Sequence, residues 1–273
     1  MSVEFGESRD GDTQLKRRWQ PSEARGAVLI THGIGEHSGR YQHVGAFLAE
    51  HGYDVVAYDN RGFGQSGGRR AHIDRFDQFL DDIEDQLADR RQLGVPVVLF
   101  GHSLGGLMSA TYLVSDRPQP DFGILSSPAL AAVVPRWQRV AAPVLGRLLP
   151  SMFIKGDEMT GILSRDEEVE KAYHADPLVI LGATAGLGKA TFEAMDSTSA
   201  QLGRISVPLY VLHGEEDRLV PQTASLPLAE LPNVTYRSWP NLRHECLNEP
   251  EKYDVLNEIS DWLDAQVGAV ASP

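Results

Sequence analysis

The chain has 273 residues, 42% hydrophobic and 23% charged, with a formal net charge of −13. That composition suits a folded protein with a sizeable core and excludes a disordered or fibrous chain. The acidic balance repels phosphate backbones and anionic leaflets, so no nucleic acid partner is expected, and a neutral or apolar ligand is favoured over an acidic one.

Cys246 is the single cysteine, which rules out an intrachain disulfide and fits a reducing compartment. The first twelve residues lack the basic start and apolar run of a signal peptide, and no stretch of 18 apolar residues occurs. The expectation is a cytoplasmic protein without a transmembrane segment.

Residues 3–5 and 15–19 are short extended runs around Asp10-Gly11, a hairpin signal. Residues 27–30 form a continuous β-favouring run ending at Gly33 and Gly35, as in a buried parallel strand. A helix is predicted over 41–51, stopped by Gly52, then a strand over 54–58 and a long amphipathic helix over 76–93. Strands follow at 96–100, 122–125, 207–212 and 234–237, with a helix over 104–114 and a last one from Pro250. Strands alternating with helices imply an α/β fold, a mostly parallel sheet with helices on both faces.

Residues 126–206 break the alternation and show no clear strand. A structureless loop of that length is rare, so 129–198 is read as a helical cap, or lid, inserted into a core of 1–128 and 199–273. Its first part is apolar, from Val133 and Val140 to Phe153 and Ile154, and 164–174 is charged and helical.

The chemistry is carried by Gly101-His102-Ser103-Leu104-Gly105, a G-x-S-x-G pattern between an apolar strand and a helical run. In that context the turn projects the serine hydroxyl above the sheet, while the glycines let strand and helix come close. This defines the α/β-hydrolase fold and a serine nucleophile. Such a serine needs an acid and a base in the order Ser, Asp/Glu, His, each in a loop after a later strand. Asp217 follows the strand at 207–212, and His244 follows the one at 234–237. Glu215 and Glu216 are alternatives to Asp217. His213 is the rival base, but it precedes the acid and reads better as a structural residue. His43, His51, His72 and His174 read as solvated. No metal-ligand spacing is present, and neither metal nor cofactor is expected. The oxyanion hole is assigned to the backbone N–H groups of Leu104 and of Ile34 in the His32-Gly33-Ile34-Gly35 loop.

The runs Gly33-Ile34-Gly35-Glu36-His37-Ser38-Gly39-Arg40-Tyr41, Asp59-Asn60-Arg61-Gly62-Phe63-Gly64, Gly101-His102-Ser103-Leu104-Gly105-Gly106 and Arg243-His244-Glu245 together resemble the monoacylglycerol lipases, a family also described as lysophospholipase-like. The chain departs from that pattern at Leu104, where methionine is common, and at Asn60 and Phe63, where histidines are often found. The resemblance implies cleavage of a monoacylglycerol into fatty acid and glycerol, with the cap lining an acyl channel and meeting lipid surfaces. It also implies that Glu36, Arg40 and His102 hold the glycerol, while Asp59, Arg61 and Ser66 form a structural loop. Carboxylesterase, lysophospholipase or thioesterase activity is the alternative on this scaffold. A non-catalytic lipid-binding or ligand-receptor protein is the reading from another class. Oligomeric state is not determined by any of these features.

Overall fold

The computed structural model describes residues 1–156 and 160–271; residues 157–159 of the expected cap and 272–273 of the expected core lie outside the described residues. In chain order the elements are β1 (Ser2–Glu7), β2 (Thr13–Trp19), β3 (Gly26–Thr31), α1 (Gln42–Glu50), β4 (Tyr53–Tyr58), α2 (Asp77–Arg91), β5 (Val97–His102), α3 (Leu104–Leu113) and β6 (Phe122–Ser126). They continue with α4 (Arg136–Leu148), β7 (Phe153–Lys155), α5 (Glu167–Ala175), β8 (Gly182–Thr184), α6 (Ala185–Ser199), β9 (Leu209–Gly214), β10 (Val234–Trp239) and α7 (Lys252–Ala271). Short 3₁₀ turns fill several connections.

Eight strands form one sheet in the order β1-β2-β4-β3-β5-β6-β9-β10. The β1–β2 hairpin and the β2–β4 pair are antiparallel, and every other pairing is parallel. The central strands β3, β4, β5 and β9 are buried along their whole length because helices cover both faces. Alternation divides their side chains. Val28, Ile30, Val98 and Phe100 join α1 and α7 on one face, where Val44, Leu48, Leu256 and Ile259 meet them. Ala27, Leu29, Val97 and Leu99 join α2, α3 and α6 on the other, against Phe79, Ile83, Leu107 and Leu187.

Parallel strands carry their carboxyl ends to one edge, which is where ligands bind in such sheets. The loops after β3, β5, β9 and β10 therefore converge there. They carry, in turn, Gly33 to Glu36, Ser103, Asp217 and His244.

Among the described residues between β6 and β9 are three α-helices and a small antiparallel pair, β7 with β8. The pair differs from the sequence expectation of a helical stretch without strands, whereas α6 continues that stretch. Each of the two strands is three residues long, too short for alternation to show. The sequence of α6 carries Gly186 and Gly188 in its first turn, which weakens its helix signal. Its start is fixed instead by Thr184, whose hydroxyl accepts from Leu187 N–H at 3.3 Å, and its buried side packs on α3 and α4. Residues 164–166 precede α5 rather than belonging to it, because the Asp166 carboxylate caps the helix by accepting from Glu168 N–H at 3.0 Å.

Candidate active site

Ser103 lies between β5 and α3 with φ 53° and ψ −116°, a left-handed backbone conformation that L residues rarely adopt. The turn is held from three sides. Ser103 N–H donates to Ser126 O at 3.0 Å, and its carbonyl accepts from Leu107 and Ala129 N–H at 2.9 and 3.0 Å. The flanking glycines are required by contact: a Cβ on Gly101 would stand 2.3 Å from Gly105 O, and one on Gly105 would stand 2.1 Å from Thr31 O. Strain at Ser103 is therefore imposed by the closeness of β3, β5 and α3. Leu104 is the first residue of α3, so its N–H has no acceptor inside the helix and points to the N-terminal end.

Asp217 and His244 come together from the loops after β9 and β10. His244 Nδ1 is 2.6 Å from Asp217 Oδ2, and both side chains are buried. Asp217 Oδ1 accepts from Leu219 and Val220 N–H at 2.8 and 2.9 Å, which fixes the carboxylate in its loop. Burial acts to raise the Asp217 pKa, but His244, His213 and the backbone donors outweigh it and hold the group below the carboxylate range. Burial likewise opposes the charged form of His244, but Asp217 prevails and raises its pKa above the ordinary histidine value. With Nδ1 turned to Asp217, Nε2 is the ring nitrogen left for the cavity that His244 and Ser103 both line.

The alternatives weighed from sequence lie elsewhere. Glu215 is exposed and accepts from Ser238 Oγ at 2.7 Å, and Glu216 is exposed. His213 is buried behind the acid. Its Nε2 lies 3.2 Å from Asp217 Oδ2 and 3.0 Å from Val220 O, while Nδ1 is 2.7 Å from Ser225 Oγ. Two acceptors facing Nε2 place a hydrogen there, so His213 is a second donor to the oxygen that meets His244. His43, His51 and His72, expected to be solvated, are half-buried and bonded: His43 Nε2 to Leu247 O at 2.7 Å, His51 Nδ1 to Phe47 O at 2.8 Å, and His72 Nδ1 with Thr184 Oγ1 at 2.8 Å.

The loop after β3 is braced by charge. Glu36 Oε1 accepts from Gly33 N–H at 2.6 Å and from Tyr41 OH at 2.8 Å, leaving Ile34 as the next residue along the cavity wall. Glu36 Oε2 accepts from Arg40 Nη1 at 2.7 Å, and Arg40 forks onto both oxygens of Glu245 at 2.7 Å each. The Arg40 guanidinium also lies 4.7 Å from the ring centre of Tyr173 in α5. Burial disfavours all three charges, but the pairing holds Glu36 at about 2, lowers Glu245 and raises Arg40. Burial, then repulsion from His244, lowers His102 to about 4, so that ring is neutral at neutral pH. His102 Nδ1 contacts Ser126 Oγ at 3.1 Å, and the ring lies 4.9 Å from that of His244.

Ser103, His244, Ile34, Leu104, Glu36, Arg40 and His102 all line one cavity of about 270 Å³. Asp217 stands behind His244, outside that wall. Apart from the polar end formed by Glu36, Arg40, His102 and Glu245, the wall is mostly apolar, with Val133, Leu163, Phe192, Met195 and Leu219 among its residues. Glu245, Tyr173 and the α6 residues were not singled out from sequence. Glu245 stands beside His244, but its partner Arg40 is 205 residues away, and no local pattern announces such a pair. Asp59, Arg61 and Ser66 do form a structural loop: Asp59 accepts from Ser38 and Gln65 N–H at 2.8 and 2.7 Å, Ser66 Oγ donates to Asp59 O at 2.6 Å, and Arg61 pairs with Asp82. Among the described residues, no group of three or more His, Cys, Asp or Glu side chains is placed to hold a metal ion.

Sheet order, strained serine and converging loops define an α/β hydrolase. Within that class the chain belongs to the Hydrolase_4 family (serine aminopeptidase, S33), which matches residues 22–251. It is a carboxylic ester hydrolase by these relationships. It is 35% identical to the monoacylglycerol lipase of Mycolicibacterium smegmatis over 255 residues, 90% of each chain. It is 30% identical to the phospholipase YtpA of Bacillus subtilis over 259 residues, 91% of this chain and 99% of that protein. The crystal structure of Paleococcus ferrophilus monoacylglycerol lipase superposes with a TM-score of 0.83 at 29% identity, covering 97% of this chain and all of that one.

Proposed function

We propose that the protein hydrolyses the ester of monoacylglycerols to fatty acid and glycerol through an acyl-enzyme on Ser103. The observation that carries this reading is Ser103 and His244 lining one mostly apolar cavity, with Asp217 2.6 Å behind the His244 ring. His244 Nε2 takes the Ser103 proton as Oγ attacks the ester carbonyl, and the N–H groups of Leu104 and Ile34 stabilise the oxyanion. His244 then gives its proton to the departing glycerol oxygen. Water, deprotonated by the same nitrogen, releases the fatty acid and restores the serine. Asp217 holds the ring and stabilises the imidazolium, and His213 and the loop N–H groups keep that carboxylate ionised.

Glu36, Arg40 and His102 form the polar end that receives the glycerol, and the apolar wall receives the acyl chain. A lysophospholipid is the rival substrate. Two carboxylates, Glu36 and Glu245, surround one guanidinium at the polar end, and Arg40 is engaged by both. That end carries no uncommitted cation for a phosphate and favours a neutral alcohol. In this reading residues 129–198 act as the cap, and the protein works from the cytoplasm. α4 then touches lipid surfaces through Trp137, Val140, Val144 and Leu148, an exposed stripe with Val140 76% exposed. No helix of the described residues is long and apolar enough to cross a membrane.

Fatty acid release tests the proposal, with monoacylglycerols compared against di- and triacylglycerols, lysophospholipids and short p-nitrophenyl esters. We expect preference for medium or long monoacylglycerols and a loss of about 10⁵-fold or more in kcat for Ser103→Ala. Near-normal turnover by Ser103→Ala, or activity confined to short activated esters, would overturn it.

A further inference from the structure

The wall that α6 gives to the cavity consists of Gly188, Thr191, Phe192 and Met195. Their spacing of i, i+3, i+4 and i+7 puts all four on one face of the helix. The stripe runs from half-buried Gly188 to buried Met195. Three positions present side chains to the cavity, and the fourth has none.

Among the described residues nothing requires glycine at that position. It stands inside α6, where glycine is less favourable than any residue but proline. Its φ is not positive, and a Cβ built on it would meet no heavy atom within 4 Å. Gly186, two residues earlier in the same helix, is the contrast: its Cβ would lie 3.0 Å from both Pro150 O and His72 Cε1, so a side chain there would press on its neighbours. At Gly188 neither backbone strain nor crowding applies. What the missing side chain leaves is open space on the cavity face.

We infer that Gly188 determines acyl-chain specificity: the space beside it is part of the acyl path, and the absent side chain admits long unbranched chains. The inference rests on the cavity being the acyl site of the proposed hydrolase. A leucine here would project from the same face as Phe192 and fill the path from the side. Since α6 carries none of Ser103, Asp217 and His244, the reaction at a short ester would proceed as before.

Gly188→Ala and Gly188→Leu test this, with kcat/KM measured on butyryl, octanoyl and palmitoyl monoacylglycerols beside thermal melts. Gly188→Leu should keep an equal or higher Tm, because any unstrained side chain favours the helix over glycine. Its kcat/KM should fall by about tenfold or more on the palmitoyl ester and stay within about twofold on the butyryl ester, with Gly188→Ala between. Equal losses at all chain lengths, or no change at any, would overturn the inference. A wild type that hydrolyses none of these esters would overturn the proposed function instead. Binding of 1-O-hexadecylglycerol, an ether that cannot be cleaved, then judges Gly188 by itself. Weaker binding by Gly188→Leu in a Ser103→Ala background supports the position as a chain determinant, and equal binding refutes it.

Discussion

α7 and α4 are both amphipathic helices, yet they face opposite ways. α7 buries Val255, Leu256, Ile259 and Leu263 against the sheet. α4 turns Trp137, Val140, Val144 and Leu148 to the outside. Its inner side meets α6 through polar and small groups instead: Arg139 pairs with Asp196 and stacks 5.0 Å over Phe192, and Gly146 lies against Lys189. The apolar stripe of α7 is part of what holds the fold together. That of α4 is exposed, and the proposed contact with lipid surfaces would account for it. The sheet edge between them follows a third rule, with its buried charges paired and the backbone of the nucleophile strained.

The comparison breaks most sharply at that edge, where changes should remove activity and leave the fold. Asp217→Asn should lower kcat by about 10³- to 10⁴-fold, since the amide no longer holds the productive tautomer or stabilises the imidazolium. The sign of its pH effect is also determined. His244 acts only when neutral, and Asp217 raises its pKa above 6.5, so wild-type kcat/KM should fall with decreasing pH through a midpoint above that value. Asp217→Asn removes the raising charge and should move the midpoint down. A midpoint that stays in place on substitution contradicts the coupling.

The contrast between the helices is sharpened by one substitution in each. Leu263→Ala should cost about 2–5 kcal/mol in urea unfolding, through lost burial and the cavity left behind. Leu148→Ala should change stability by no more than about 0.5 kcal/mol. Comparable losses in the two would show that α4 supports the fold as α7 does. A further effect concerns lipid. Leu148→Glu should weaken binding to neutral phosphatidylcholine vesicles by about tenfold, the worth of one apolar side chain withdrawn from an interface. Unchanged vesicle binding would remove the proposed role of the α4 stripe.

Much of the site was legible because its parts sit at local landmarks. Ser103 follows an apolar strand and precedes a helix, and Asp217 and His244 follow later strands in the order the fold demands. Each is found from its own neighbours in the chain. The Arg40–Glu245 pair and the α6 wall have no such marker. Each depends on residues brought together from distant segments, and α6 was further obscured by its glycines.

The sequence by itself determined the alternation of strands and helices, the hairpin at the start and the edge of the sheet where the reacting groups gather. Those follow from periodicity and turn chemistry, which act over a few residues. Only the tertiary structure decided which charges neutralise one another at that edge, which glycine leaves a space and which is crowded, and which way the apolar face of α4 points. A periodic pattern states that a helix has an apolar side, but the partner that side meets is set by packing across the whole chain.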